Sequence, residues 1–319
     1  MSNKTAITVG LSAVIVAVDE DAPYALVTRH NEEASSLPFG PFDPVGHRTM
    51  ELGLRDWVRA QTGFEPGYVE QLYTFADKGR ELPRADMADA PDNARIISVG
   101  YLGLTSERTP IGGAFNAVWR DWYRYFPWED HRKGPPAIIE KDIAPALRDW
   151  ADGHAERLDR ARLGFGLDGR PWIEERVLER YELLYEAGLV FEAIRDRQSS
   201  APCAYAPVRS EAMASDHRRI LATAMSRLRG KIKYRPVVFE LTPEKFTLFD
   251  LQQIVESILG LKLHKQNFRR AIEKSKLVEG LGAFATGTGG RPAELFRFRH
   301  ETLRTRVALG VSAPVKRQD

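Results

Sequence analysis

Ten consecutive residues near the C-terminus concentrate side chains suited to reading nucleic acid. Lys265, Gln266, Asn267, Arg269, Arg270 and Lys274 fall between positions 265 and 274. Arg and Lys bond phosphates and guanine edges, while Gln and Asn pair with adenine edges. Phe268, Ala271, Ile272 and Ser275 are interleaved at spacings of three and four. A helix from about His264 to Lys274 would therefore turn these four inward and the polar set, with Glu273, outward. Arg291, in the glycine-rich stretch Gly280–Pro292, is a further candidate for the backbone or a minor groove.

These side chains need a scaffold, and the flanking sequence supplies one. Thr247 followed by Asp250 is a helix N-cap close to a capping box, with Asp in place of Glu or Gln. Leu248, Leu251, Ile254, Val255, Ile258 and Leu259 then recur at helical spacing, and Gly260 stands where a left-handed C-cap would end the helix. After a turn at Leu261–Leu263 comes the basic helix. Leu295–Arg299 alternates Phe296 and Phe298 with Leu295, Arg297 and Arg299, as a half-buried strand does. Helix, turn, helix and hairpin predict a winged helix, with Gly287, Gly289 and Gly290 in its turn.

The charge distribution agrees. From Lys231 to Asp319 there are 17 Lys and Arg against 9 Asp and Glu, net +8, and the first 230 residues hold 29 against 35, net −6. The near-neutral total of +2 thus joins a basic module to an acidic one, as expected when one domain meets a polyanion.

At 319 residues, 43% apolar and 28% charged, the chain has the composition of a globular protein with room for two domains. The expected division is a sensing domain over 1–235, with a helical insertion at about 115–200, and a DNA-binding domain over 236–319. The apolar run Val9–Val18 is too short to span a bilayer and is followed by Asp19, Glu20 and Asp21 instead of a cleavage site. It reads as a buried strand, and the protein as cytoplasmic with no membrane partner. A single cysteine, Cys203, excludes an internal disulfide and a multi-cysteine zinc site, and the seven histidines lack paired ligand spacing, so no metal is expected.

Ile7–Val18 and Tyr24–Thr28 read as paired strands. A loop containing Leu37, Pro38, Gly40 and Pro41 leads to a helix at about Thr49–Thr62, with Met50, Leu54, Trp57 and Val58 as its apolar stripe and Gly63 at its end. Tyr68–Phe75 and Ile96–Leu104 are further strands, separated by the acidic loop Asp77–Asn93. This order resembles a Nudix domain, whose hydrolytic members bind Mg2+ through clustered glutamates. The resembling motif runs Leu37-Pro38-Phe39-Gly40, then Arg55 through Phe64, with a spacing about two residues longer than the family's. Counting back from Gly63, the paired glutamates fall on Ala60 and Gln61, and the earlier one near His47 or Arg48. Neither Ala nor Gln supplies an ionised carboxylate. The resemblance therefore implies the fold and a nucleotide ligand without the hydrolysis: no catalytic residue, no metal and no required cofactor. The alternative is a pyrophosphohydrolase using a rearranged set, Glu51, Asp56 and Glu70.

Further segments narrow the resemblance. Tyr68–Phe75, Arg95–Leu102, the helix Asp216–Ala222, the run Arg227–Arg229 and the stretch from Phe246 through Arg270 are similar to the Nudix-related transcriptional regulators of NAD metabolism. The length of 115–200 resembles the long alphaproteobacterial variant. Such a resemblance implies an α+β fold: a Nudix-like mixed sheet with helices and a helical insertion, then a winged helix-turn-helix domain. It further implies a homodimer on a double-stranded DNA operator, a repressor of NAD biosynthesis genes, and ADP-ribose or a related adenine nucleotide as effector. Arg29, Phe75, Arg80 and Arg95 are the ligand-binding positions it suggests, and Arg227–Arg235 joins the two modules. A third reading makes the winged helix a protein-binding module.

Within the insertion, Phe115, Trp119, Trp122, Tyr123, Tyr125, Phe126 and Trp128 are expected to be core, and the helices are expected at Asp142–Arg162 and Trp172–Val190. Gly164, Gly166 and Gly169 spell a dinucleotide-binding pattern but follow a charged helix instead of a strand, so they read as loop glycines. Asp216 is expected to cap the helix that begins beside it.

Overall fold

A computed structural model of the chain describes residues 6–19, 22–29, 34–80, 95–108, 116–196, 206–285 and 292–299. Arg291, Phe115, Cys203, the wing-turn glycines and most of the acidic loop after Asp77 lie outside them.

The N-terminal sheet is built on β1 (Ile7–Val18), whose residues Leu11–Val18 are all buried. A strand covered on both faces reads as a continuous apolar run, which is why this segment does. Around it stand β2 (Pro23–Val27), β3 (Phe39–Pro41), β4 (Tyr68–Phe75), β5 (Arg95–Thr105) and β6 (Val118–Asp121). Their order is β4-β5-β1-β2-β6, with β3 paired to β1. β1 and β5 are parallel from Ile7 opposite Arg95 to Ala17 opposite Thr105, and the other pairings are antiparallel. Helix α1 (Met50–Thr62) starts on Thr49, whose hydroxyl accepts from the Leu52 N–H at 3.2 Å, and ends on left-handed Gly63. It covers one face of the sheet through Leu54 and Val58 against Leu11, Ala13 and Ile15.

The other face, carrying Val14, Val16 and Val18, packs into a larger core that continues through the insertion and into the winged helix. The insertion comprises a π-helical turn at Ile139–Ile143 leading into α2 (Ala144–Ala151), then α3 (Ala155–Phe165), α4 (Val177–Glu186) and α5 (Phe191–Asp196). Two helix expectations are corrected here. The segment Asp142–Arg162 breaks where Asp152 and Gly153 adopt positive φ, and the segment Trp172–Val190 is helical only over α4. Of the aromatic cluster, Trp122, Tyr123, Tyr125, Phe126 and Trp128 are buried in this core, and Trp119 is partly buried against the core beneath α1. Of the three expected loop glycines, Gly166 and Gly169 are turn glycines with positive φ, and Gly166 ends α3; Gly164 is instead a buried residue of the last turn of α3, which corrects that expectation.

Helix α6 (His217–Ile232) crosses the second face of the sheet, where Ile220 comes so close to Gly100 that a Cβ there would sit 3.1 Å from its methyl group. Asp216 occupies the N-cap position but makes no capping bond, which corrects the expected role: its carboxylate instead accepts from Arg219 at 3.2 Å. The chain then forms β7 (Phe246–Thr247), α7 (Leu248–Leu259), α8 (Lys265–Ser275), β8 (Val278–Phe284) and β9 (Glu294–Phe298). The three strands make an antiparallel sheet in the order β7-β9-β8, completing a winged helix. Among the described residues, no helix is long and apolar enough to cross a membrane.

Candidate nucleic-acid interface and nucleotide cleft

Helix α8 is anchored by Phe268 and Ile272, both fully buried, and exposes Lys265, Gln266, Asn267, Arg269, Arg270, Glu273 and Lys274. The inward and outward sets are those its spacing predicts. No ion pair joins Lys265, Arg269, Arg270 or Lys274 to another described residue, so the four cations face solvent together. Helix α7 sets the angle of this face. Its start is a complete capping box: the Asp250 N–H donates to the Thr247 hydroxyl at 3.1 Å, and the Thr247 N–H donates to the Asp250 carboxylate at 2.9 Å.

Two buried polar residues fix the turn between α7 and α8, and sequence reasoning missed both. The Gln252 amide donates to the Leu263 carbonyl at 3.0 Å and to Glu256 at 2.8 Å, and Glu256 accepts from the Leu263 N–H at 3.0 Å and from Lys262 at 2.6 Å. Their i, i+4 spacing on an otherwise apolar stripe was the available sign. The turn is thereby held by side chains, and α8 leaves it in one direction.

A second polar concentration lies where β4 ends against α4 and α6. Arg80 donates to Glu182 at 2.9 and 3.2 Å, and its guanidinium lies 3.5 Å from the centre of the Tyr185 ring. Burial works against the Arg80 charge, but Glu182, Tyr185 and Asp216 outweigh it and hold the guanidinium above its ordinary range. Arg219 pairs with Asp77 at 2.5 Å, Glu182 at 2.9 Å and Asp216 at 3.2 Å, and lies 5.4 Å from the Phe75 ring. Burial pushes the Asp216 carboxyl up to about 7, against the pull of Arg219 and Arg80.

The suggested ligand positions are thus only partly gathered. Phe75 and Arg80 share this corner, and Arg95 reaches it by donating to the Ala76 carbonyl at 2.5 Å. Arg29 stands past the end of β2, across β1 and β5 from β4, with its N–H on the Asn116 carbonyl at 3.2 Å. Arg219, within the resembling segment Asp216–Ala222 but not among the suggested ligand positions, belongs to the corner.

In α1, Gln61 is buried and its amide spans the backbone of Phe39, donating to the carbonyl at 2.7 Å and accepting from the N–H at 3.0 Å. The Leu37–Gly40 loop is further closed by the Leu37 N–H, which donates to His217 Nδ1 at 3.2 Å, and by Trp57, which leaves no room for a Cβ on Gly40. Glu51 pairs with Arg55 at 2.8 Å, Asp56 with Arg59 at 2.7 Å, and Glu70 with Lys231. Among the described residues, no group of three or more His, Cys, Asp or Glu side chains is placed to hold a metal ion.

Residues 238–298 match the family described as the NrtR DNA-binding winged helix domain. The C-terminal unit is an NrtR-type winged helix. Over 86 residues, 27% of this chain and 34% of the relative, the sequence is 42% identical to a protein of Acinetobacter baylyi named ADPR responsive transcriptional repressor NtrR. The match thus spans about a third of that relative's length. The whole fold is similar to the structure of Shewanella oneidensis NrtR complexed with a 27mer DNA (TM-score 0.54, 19% identity, 93% of this chain and 95% of that one). It is also similar to a MutT/nudix family protein from Enterococcus faecalis (TM-score 0.53, 14% identity, 94% and 89%). At these identities the likeness establishes the architecture, a mixed α+β Nudix fold followed by a winged helix.

The NrtR-type winged helix is tied to the rest of the molecule through buried charge. Glu129, Arg180 and Arg229 are all fully buried, and the Glu129 carboxylate takes Arg180 at 2.5 and 2.8 Å and Arg229 at 2.6 Å. Burial alone would raise the Glu129 carboxyl, but the two guanidiniums outweigh it and hold it below its ordinary range. Arg229 also donates to the carbonyls of Ile258 at 2.8 Å and Glu174 at 2.9 Å. Tyr123 donates to the Ser257 carbonyl at 2.6 Å. The insertion, α6 and the NrtR-type winged helix therefore meet at one ionic node.

Proposed function

We propose that this chain is a ligand-responsive, DNA-binding transcriptional regulator, a repressor of NAD biosynthesis genes, in which a Nudix-type domain senses ADP-ribose or a related adenine nucleotide. The observation that carries this is the exposed face of α8, held by Phe268 and Ile272 within an NrtR-type winged helix. On this reading residues 1–235 sense the nucleotide and residues 236–319 bind DNA. Lys265, Arg269, Arg270 and Lys274 contact phosphates or guanine edges, Gln266 and Asn267 read bases, and Arg291 serves at the wing. The protein acts in the cytoplasm as a homodimer that sets two recognition helices one helical turn apart on a pseudo-palindromic operator.

The Nudix-type domain acts as a sensor without hydrolysis, with no required cofactor. In support, counting back from Gly63 puts the family's paired glutamates on Ala60 and Gln61, and the Gln61 amide is committed to Phe39. The substitute acids Glu51, Asp56 and Glu70 are each paired with a cation of the chain. The named relative is a repressor. Phe75, Arg80 and Arg95, with Arg29 farther along the sheet, serve the ligand.

The test is recovery of genomic DNA fragments by the purified chain at physiological salt, followed by sequencing. A pseudo-palindromic site enriched upstream of NAD synthesis genes is the expected result. Retention without sequence preference, lost as salt rises, would indicate phosphate attraction alone and end the regulator reading.

A further inference from the structure

Helices α4 and α6 lie antiparallel: the Leu178 N–H donates to Ser226 Oγ at 3.0 Å, Glu182 meets Arg219 near the start of α6, and Arg180 shares Glu129 with Arg229 near its end. Two residues apart on a helix, Arg180 and Glu182 point to nearly opposite sides, about 200° apart. One short helix thus places a carboxylate in the Arg80–Arg219 corner and a guanidinium in the node beneath the winged helix.

In the corner, a single oxygen of Glu182 is approached by both guanidiniums, by Arg80 Nη1 at 2.9 Å and by Arg219 Nε at 2.9 Å. Two arginines converging on one anionic oxygen are what a phosphate requires. The guanidiniums are mostly buried, with side chains 13% and 16% exposed, whereas Glu182 and Asp77 are 31% and 52% exposed. The acids can turn toward water once another anion takes their place, and the arginines remain behind, oriented by Tyr185 and Phe75.

We propose that Arg80 and Arg219 form a diphosphate-binding pair that the chain keeps occupied with Glu182. A nucleotide diphosphate binds by replacing that carboxylate, freeing α4 and so loosening the Glu129–Arg180–Arg229 node that fixes the winged helix. The proposal rests on the nucleotide-sensing reading and names its regulation. A diphosphate carries more charge than a carboxylate and offers oxygens to both guanidiniums at once, so it wins the pair. Asp216 stays in place, and burial raises its carboxyl to about 7, so near neutral pH it carries only part of its negative charge. The ligand then distinguishes two arrangements of α4, which any linkage to DNA binding requires.

The test uses the full chain, with ADP-ribose and inorganic pyrophosphate as calorimetric probes. Glu182→Gln should bind both about tenfold more tightly, because the internal competitor has lost its charge, and Arg219→Gln should bind both at least about tenfold more weakly. ADP-ribose should also lower amide-exchange protection across residues 177–186 and 254–260 of the wild type, an effect that packing alone would not give. Equal or weaker binding by a folded Glu182→Gln chain, or ADP-ribose binding with unchanged protection in α4, overturns the proposal. If Arg219→Gln fails to fold, Glu182→Gln decides. If wild type binds no ADP-ribose, the nucleotide reading fails separately, and pyrophosphate still decides the pair: tighter binding to Glu182→Gln supports it and equal binding sinks it.

Discussion

Arg229, on the long helix that crosses the Nudix sheet, donates its Nε–H to the Ile258 carbonyl, 2.8 Å away in the last turn of α7. The same guanidinium holds Glu129 at 2.6 Å, so the orientation of the winged helix depends on a buried charge supplied by the insertion. Removing one partner leaves the others as uncompensated buried charge. Glu129→Gln should therefore cost about 3 kcal/mol of stability, seen as a lower urea midpoint at an unchanged slope. A midpoint within error of wild type would mean that the node contributes nothing net.

Gln61 tests the inactive Nudix reading from the inside. A carboxylate at this position could still accept from the Phe39 N–H but could not donate to the Phe39 carbonyl, and two acceptors would face each other in a buried site. Gln61→Glu should lose roughly 1–3 kcal/mol of stability and gain no magnesium-dependent release of AMP from ADP-ribose. Robust AMP release by the wild-type chain would overturn the sensor assignment in favour of the hydrolase.

On α8, Arg269 is exposed and Phe268 beside it is fully buried, so substitutions at the two positions should separate contact from folding. Arg269→Ala should leave the melting temperature unchanged, weaken binding to the selected DNA, and, if its contact is a phosphate, reduce the salt slope by about 1. Phe268→Ala should lower stability by about 3–5 kcal/mol. A DNA affinity unaffected by Arg269→Ala removes that residue from the interface.

A half-buried imidazole and a buried carboxyl make opposite contributions to stability in one pH window. Burial beside Trp172 lowers His131 from 6.5 to about 4, with Glu129 and the Trp128 carbonyl opposing it, so its contribution is present above pH 6.5 and is lost as pH falls toward 4. Asp216 is raised from 3.8 to about 7, so its contribution is present below pH 3.8 and is lost as pH rises through 7. Acidification from pH 7 to pH 4 therefore favours the folded state at Asp216 and disfavours it at His131. Asp216→Asn should steepen the acid loss of melting temperature and His131→Phe should flatten it. Parallel pH profiles for both variants and wild type would contradict both assignments.

The winged helix was legible because its determinants are local. Thr247 and Asp250 cap one helix, Gly260 ends it with φ 69°, and the spacing of Phe268 and Ile272 orients the next. β1 was legible as a continuous apolar strand for the same reason. The ionic node was not, since Glu129 meets partners 51 and 100 residues away, and only packing brings them together. Asp216 was misassigned because its carboxylate, free to cap in an isolated helix, is taken by Arg219. The helix break at Asp152 and Gly153 did carry a local sign, an Asp-Gly pair typical of turns, set within a charged helical pattern that obscured it. The place of Arg219 in the corner beside Arg80 was not legible, because its partners come from three segments, at Asp77, Glu182 and Asp216.

The most direct measurement of the central claim is the affinity of the full chain for its selected genomic fragment at physiological salt, with and without ADP-ribose. A sequence-specific complex whose affinity changes by about tenfold when ADP-ribose is added is the expected result. Specific binding that is indifferent to ADP-ribose and to related adenine nucleotides would contradict it.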